Sequence, residues 1–432
     1  MSVSAARVVG TGVMLGAAAG ATWLAGKVLE DRVSRDAAAN PRLLNWSWAR
    51  RIAVRLAQGG LTPGAEAETW GSAEDRARAR DEYAGHVRRS MELVAEYTGI
   101  DLPPERAQVY IFDRAEWVDA NLAQFELMFA PLDEAYAGTL ARLRSATTVG
   151  AFGQAMLSGQ MGLLLGYLGQ RVLGQYDLSL LGREPVTEGR LYFVEPNIAA
   201  LQRRFGLPAD EFRAWIALHE VTHAFEFEGH PWVRDHMNGL LTSYLRSLSE
   251  DLFGGQPGGA LSTFASRIKD NSRQARSGRN GSAGGNGANG SNGAAGAAGA
   301  AGGGHMLELM MSPDQRAAFQ QLQALMALME GYSNHVMQRV GAAQLKDHEV
   351  LRTTFESRAR NRSVGERLFI RLTGLDVKLE QYALGERFCQ QVVDARGIDY
   401  LNRVWDGPEQ LPTLEEIHEP ERWVARQQAV LV

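Results

Sequence analysis

At 432 residues the chain exceeds the usual size of one domain, so a large domain with an insertion and a two-domain chain are both open. Its composition is that of a globular protein, 45% apolar and 22% charged, and 45 basic against 50 acidic side chains leave a formal net charge of −5, too small to argue for nucleic acid or an anionic membrane as partner. The single cysteine, Cys389, excludes an internal disulfide and a cysteine-based zinc site, and its helical surroundings (QYALGERFCQQVV) mark it as a buried small apolar residue.

Residues 1–40 read as an apolar extension, in which Arg7 and Lys27 bracket the uncharged stretch VVGTGVMLGAAAGATWLAG (8–26). As a helix this stretch would span about 28 Å, barely a bilayer core, so a membrane anchor and a small-residue helix packed on the protein are both open. The chain is expected to be cytoplasmic, with attachment to a membrane through 8–26 as the alternative. Residues 41–432 form the main domain. Amphipathic helices are expected over 43–58 and 75–100, the second ended by Gly99 and the Pro103-Pro104 pair. AQVYIFD (107–113) has the β-branched and aromatic content of a short strand, and EWVDANLAQFELMFAPL after it is helical. Residues 151–174 predict a buried core helix, with Met156 and Met161 as core filler. GRLYFVEPNI (189–198) reads as a strand running into a turn, and residues 208–230 as a helix capped by Asp210. The Gly-, Ala-, Asn- and Ser-rich stretch at about 254–304 cannot bury enough side chain to offset its ordering entropy and predicts a surface loop. Helical periodicity resumes at 312–341, started by Ser312 and Pro313, and continues at about 365–373 and 375–396. The pattern is an α+β fold, predominantly α-helical, with a small sheet.

HEVTH at 219–223 lies within the 208–230 helix. On a helix, residues i and i+4 share one face a turn apart, so His219 and His223 can converge on one zinc ion while Glu220 projects beside it. A catalytic zinc takes a third protein ligand and keeps a position for water, whose proton Glu220 would accept as general base and return to the leaving amine. The three-histidine extension of this motif fails here, because positions 226 and 229 hold Glu226 and Gly229 and His230 is one residue out of register. Glu330, in the otherwise apolar segment LMEGYSNHVM (328–337), is the leading third ligand, since ligation would offset the cost of burying its carboxylate. Glu226, Glu228, His230 and His236 are the alternatives. Asn334, one turn after Glu330, is placed to orient a ligand imidazole. Tyr176, Asp177, Lys378, Gln381 and Tyr382 could assist near the metal, although tertiary hydrogen bonding accounts for each, and Trp232 is expected to pack the end of the metal helix.

With these residues in view, the chain resembles a bacterial family of zincin-like metallopeptidases whose members carry the label "associated with deazaflavin-coenzyme biosynthesis". The resemblance spans most of 43–425 and is carried by AEYTGIDLP (95–103), VLGQYDLSLLG (172–182), LYFVEPNI (191–198), WIALHEVTHAFEFEGHPWVRDHM (215–237), LMEGYSNHVM (328–337), KLEQYALGERF (378–388) and VWDGPEQLPTLEEI (404–417). It implies a zincin-like fold, a zinc ion held by His219, His223 and Glu330, Glu220 as catalytic base, and a peptide or protein as substrate. The family's second-helix segment usually reads EGH, a small residue and Asp, where this chain has Tyr332 and Asn334. That departure motivates a second expectation, a non-catalytic zinc-binding scaffold. A zinc hydrolase of a non-peptide amide is a third.

Overall fold

A computed structural model describes residues 42–59, 70–142, 147–176, 189–253, 311–360 and 375–429. In chain order the elements are α1 (Trp46–Ala57), α2 (Ala73–Thr98), β1 (Gln108–Phe112), α3 (Arg114–Arg142), α4 (Thr147–Gly169), β2 (Gly174–Tyr176), β3 (Arg190–Val194), α5 (Glu195–Phe205) and α6 (Ala209–Glu228). They continue with α7 (Trp232–Phe253), α8 (Pro313–Gln344), α9 (His348–Arg360), α10 (Leu375–Arg396), α11 (Ile398–Leu401), α12 (Leu414–His418) and α13 (Pro420–Ala429). One sheet has the strand order β1-β3-β2, with β1 parallel and β2 antiparallel to β3. The chain thus adopts the expected α+β class, mainly helical with a small sheet. The apolar stretch at 8–26, the Gly-rich stretch at 254–304 and the helix expected at 365–373 lie outside the described residues. Among the described residues no helix is long and apolar enough to cross a membrane.

Local chemistry sets the ends of the helices. Asn45 caps α1 by accepting from the Trp48 N–H, and α2 opens with a reciprocal Ser72–Asp75 capping box and closes on Gly99, whose positive φ of 70° suits glycine. Ser312 and Gln315 form the same box ahead of α8, with Pro313 at its first position. The helix carrying HEVTH departs from expectation. Pro208, not Asp210, precedes its first turn, and Asp210 lies inside that turn with Glu211, where both carboxylates face the positive end of the helix dipole. The helix expected over 151–174 runs from Thr147 to Gly169, and Gly174, the last residue of the expected span, instead opens β2. Met161 packs against a small core as expected, whereas Met156 is exposed.

The main core lies between the sheet and α2, α6, α8 and α10, where Tyr83 stacks on Phe193 at 4.2 Å and Phe212, Phe225, Phe388 and Trp423 are fully enclosed. A smaller core joins Trp46, Ala49 and Ala53 of α1 to Trp117, Leu122 and Leu165 of α3 and α4. Cys389 is free and buried, as its setting implied. The contact that matters most for the site is the crossing of α8 and α10. A Cβ on Gly331 would lie 2.1 Å from the Gly385 carbonyl carbon, and one on Gly385 only 1.8 Å from the Ala327 oxygen, so the helices meet backbone to backbone. That crossing falls one residue after Glu330.

Candidate metal centre

The face of α6 that carries His219 and His223 looks across a cavity of about 290 Å³ toward α8. Its walls also include Gly174, Gln175 and Tyr176 of β2, Met237 of α7, and Met326, Met329 and Glu330 of α8. The two imidazoles stand edge to face with ring centroids 4.7 Å apart, as the i, i+4 spacing requires. One ligand atom from each of His219, His223 and Glu330 falls within 4.8 Å of the others, and His219 Nε2 lies 3.8 Å from a Glu330 carboxylate oxygen. Two ligands at ordinary zinc distances and a tetrahedral angle stand roughly 3.4 Å apart, so a small rotamer change would close the triangle. Two imidazoles and one carboxylate facing a cavity fit a tetrahedral ion with one open position.

What holds His223 in place is a carboxylate on its own helix. Glu226, one turn further along α6 and fully buried, meets His223 Nδ1 at 2.8 Å, leaving Nε2 for an ion. Ser333 Oγ lies 3.0 Å from the same Nδ1 and donates to Glu226 Oε1 at 3.1 Å, so α8 supports the pair from the other side. The orienting role expected of Asn334 is therefore filled by Glu226 and Ser333. Tyr332 is turned away from the metal residues: fully buried, it donates to Asn402 Oδ1 at 2.7 Å and packs edge to face on Trp405.

The alternative third ligands are engaged elsewhere. Glu228 accepts from the Tyr176 hydroxyl and pairs with Arg106 and Arg234. His230 stacks on Trp405 with centroids 5.5 Å apart, and His236 sits edge-on to Trp232 at 6.0 Å. The Trp232 indole donates to the Trp405 carbonyl at 2.9 Å, which ties the start of α7 to the segment after α11. The Tyr176 hydroxyl donates to Glu228 and also accepts from Arg234 at 3.0 Å. Asp177 and the side chains of Lys378, Gln381 and Tyr382 lie outside the described residues.

Glu220 lines the cavity beside the two histidines, and β2 is laid directly over it. A Cβ on Gly174 would come within 2.6 Å of a Glu220 carboxylate oxygen, so this strand approaches as closely as it does only because residue 174 is glycine. Burial raises the Glu220 pKa to about 7, with the nearby Glu330 carboxylate adding to the rise and His223 and the Tyr176 backbone N–H opposing it. Burial lowers His219 to about 3, helped by the neighbouring His223. Burial also acts to lower His223, but the adjoining carboxylates, Glu226 first, outweigh it and hold that imidazole at about 9. Glu226 is itself lifted by burial to about 7, against the pull of His223 and Ser333. A carboxyl that titrates near neutrality beside two imidazoles of opposite tendency is an arrangement suited to moving protons.

The role of Glu226 as the partner of His223, rather than as a ligand, and β2 are the parts of the site that the sequence did not reveal. A signal for Glu226 exists: it follows His223 by three residues and so shares its helix face. No comparable signal marks β2. A family model described as zincin-like metallopeptidase matches residues 44–424. A crystal structure from Chloroflexus aurantiacus, described as a candidate hydrolase with a novel fold, is 36% identical, covers 89% of this chain and 99% of its own, and superimposes with a TM-score of 0.60. No curated protein matches the chain.

Proposed function

Because the chain belongs to the zincin-like metallopeptidase family, we propose that it hydrolyses peptide bonds, with zinc held by His219, His223 and Glu330 and Glu220 as the general base. The observation that carries this reading is the convergence of those three ligand groups on one cavity that Glu220 also lines. A bound zinc ion supplies Lewis acidity toward a carbonyl and lowers the pKa of water. The chain's own residues do the rest. Glu220, poised near pH 7, accepts the proton of the attacking water and passes it to the departing amine. Gly174 and the Tyr176 N–H fix that carboxylate from above, and Glu226 with Ser333 holds His223 in one orientation. β2 ends the sheet, so its side away from β3 has no strand partner among the described residues, and apart from the Tyr176 N–H that Glu220 takes it is open to an extended peptide.

The scaffold reading rested on Tyr332 and Asn334. Its premise weakens once Glu226 supplies a buried carboxylate to His223. Elemental analysis together with a fluorogenic peptide library tests the proposal. Wild type is expected to carry about one zinc per chain and to cleave peptides, Glu330→Ala to lose the metal, and Glu220→Gln to keep the metal while turnover falls by at least about 100-fold. Full turnover by Glu220→Gln would refute the mechanism, and a zinc-loaded protein that cleaves non-peptide amides but no peptide would refute the substrate class.

A further inference from the structure

The cavity at the candidate metal centre has a second wall that the metal does not explain. Three of its eleven lining residues among the described ones are methionine, Met237, Met326 and Met329, where the chain's average of 13 in 432 would place fewer than one. Phe227 joins them. Helix geometry brings them there. On α8, Met326, Met329 and Glu330 stand at i, i+3 and i+4 and share a face, and on α6 Phe227 lies one turn beyond His223 on the ligand face. Each helix that delivers a ligand thus also delivers an apolar side chain to the same cavity, and α7 adds Met237.

Core packing accounts for part of this wall, since Phe227, Met237 and Met329 are buried members of the main core. Met326 is different. It packs against that core yet is only partly buried, at the cavity wall one turn before Glu330. The wall also varies in stiffness. The Phe227 ring stacks on Tyr176 with centroids 5.3 Å apart and planes 12° from parallel, whereas methionine, unbranched and with three rotatable bonds, adapts to guests of different shape. The acidic and basic side chains on the cavity wall are His219, Glu220, His223 and Glu330. All four belong to the proposed metal site, so none is left to pair with a charged guest.

We infer that this wall is the pocket for one substrate side chain, and that the residue it takes, next to the cleaved bond, is a large apolar one: leucine, methionine or phenylalanine. The inference rests on the peptide-bond hydrolysis proposed above. A cavity of about 290 Å³ is small for a ligand pocket, with room for a peptide group and one side chain beside it. A charged side chain there would lose its hydration without gaining a partner, and a small one would leave the apolar wall uncovered. Met326 sets the depth of the pocket, because packing leaves it partly exposed where the other three are buried.

Two measurements test the pocket. In the first, zinc-loaded wild type is given fluorogenic peptides that differ only at the two positions flanking the cleaved bond. At one of these, leucine, methionine and phenylalanine are expected to give kcat/KM values within about tenfold of one another, about tenfold or more above alanine and about 100-fold or more above aspartate or lysine. Met326→Phe, which makes the pocket shallower, is expected to lower the leucine-to-alanine ratio by about tenfold. Met326→Ala, which deepens it, is expected to raise the phenylalanine-to-leucine ratio, with zinc content unchanged in both variants. Should one variant fail to fold, the other carries the test. A packing role alone would slow all peptides alike and move neither ratio. In the second measurement, zinc-loaded Glu220→Gln is mixed with blocked Gly-Gly-Leu-Gly-Gly or Gly-Gly-Lys-Gly-Gly, and equilibrium dialysis is expected to show about tenfold tighter binding of the leucine peptide. Cleavage without preference at either flanking position, or ratios that ignore both Met326 variants, would overturn the inference and leave the peptidase reading in place. If no peptide is cleaved but the leucine peptide binds preferentially, the peptidase reading falls and the apolar pocket stands. Absence of both cleavage and binding preference would overturn both.

Discussion

The proton on His223 is what an incoming metal ion must displace. Without an ion, Glu226 and the neighbouring carboxylates hold this imidazole protonated up to a pH of about 9. A ligand whose pKa is raised binds metal in its deprotonated form, so affinity is lowest at acid pH, rises as pH climbs, and levels off above the raised pKa. Apparent zinc affinity, measured by chelator competition, is therefore expected to increase by about tenfold per pH unit between pH 7 and 9 and then to flatten. Glu226→Gln should move that plateau to lower pH, because the largest opposing charge is gone. It should also lower the plateau itself by about 10- to 100-fold, because the amide orients Nδ1 less well. An unchanged profile in Glu226→Gln would mean that this carboxylate does not set the site. At this scale the HEVTH spacing could be read directly, since i and i+4 on a helix need no tertiary information. The orienting partner could not. Whether Asn334 or Ser333 of α8 faces His223 depends on how α8 is rotated about its own axis against α6, which local sequence does not encode.

That rotation is decided where α8 crosses α10. Gly331 and Gly385 allow the two backbones to touch, and Glu330 sits at the contact. Gly331→Ala places a methyl group 2.1 Å from a backbone carbon, a clash that no rotamer relieves, so the helices must part and the fold is expected to lose about 3 kcal/mol together with its metal affinity. Gly239 in α7 is the internal control. It has open space around it and is exposed, so Gly239→Ala is expected to stabilise by about 0.5–1 kcal/mol through helix propensity alone. Urea denaturation of both variants checks the pair, and equal effects would remove the crossing from the account. Elements with many turns were legible because their periodicity repeats: α2, α6 and α8 lie within a few residues of expectation. The three-residue β2 was not, because Gly-Gln-Tyr is too short to show any alternation and carries none of the β-branched run that marks a strand. The outward Met156 was misread for a related reason. Apolar composition implies burial on average, but in α4 the packed face is made of glycine and serine, and composition alone does not say which side faces in.

Across the whole molecule the proposed metal joins two halves of the chain that the 254–304 stretch separates in sequence. His219 and His223 lie before it and Glu330 after it, so an ion held by all three cross-links α6 to α8 in the folded state only. An unfolded chain brings these groups together rarely, and metal binding then adds to folding free energy by mass action. At free zinc about 100 to 1,000 times the dissociation constant the gain is about 2.7–4.1 kcal/mol. Removing zinc with a chelator is accordingly expected to lower the thermal midpoint of wild type by several degrees, and adding zinc back to restore it. Glu330→Ala should melt at one temperature with or without chelator, because its two histidines sit on one helix and close no loop between the halves. Glu220→Gln should respond to chelator as wild type does, since it removes the base and leaves the ligands. A chelator shift that persists undiminished in Glu330→Ala would place the third ligand elsewhere, and the α6–α8 cross-link would then have to be abandoned.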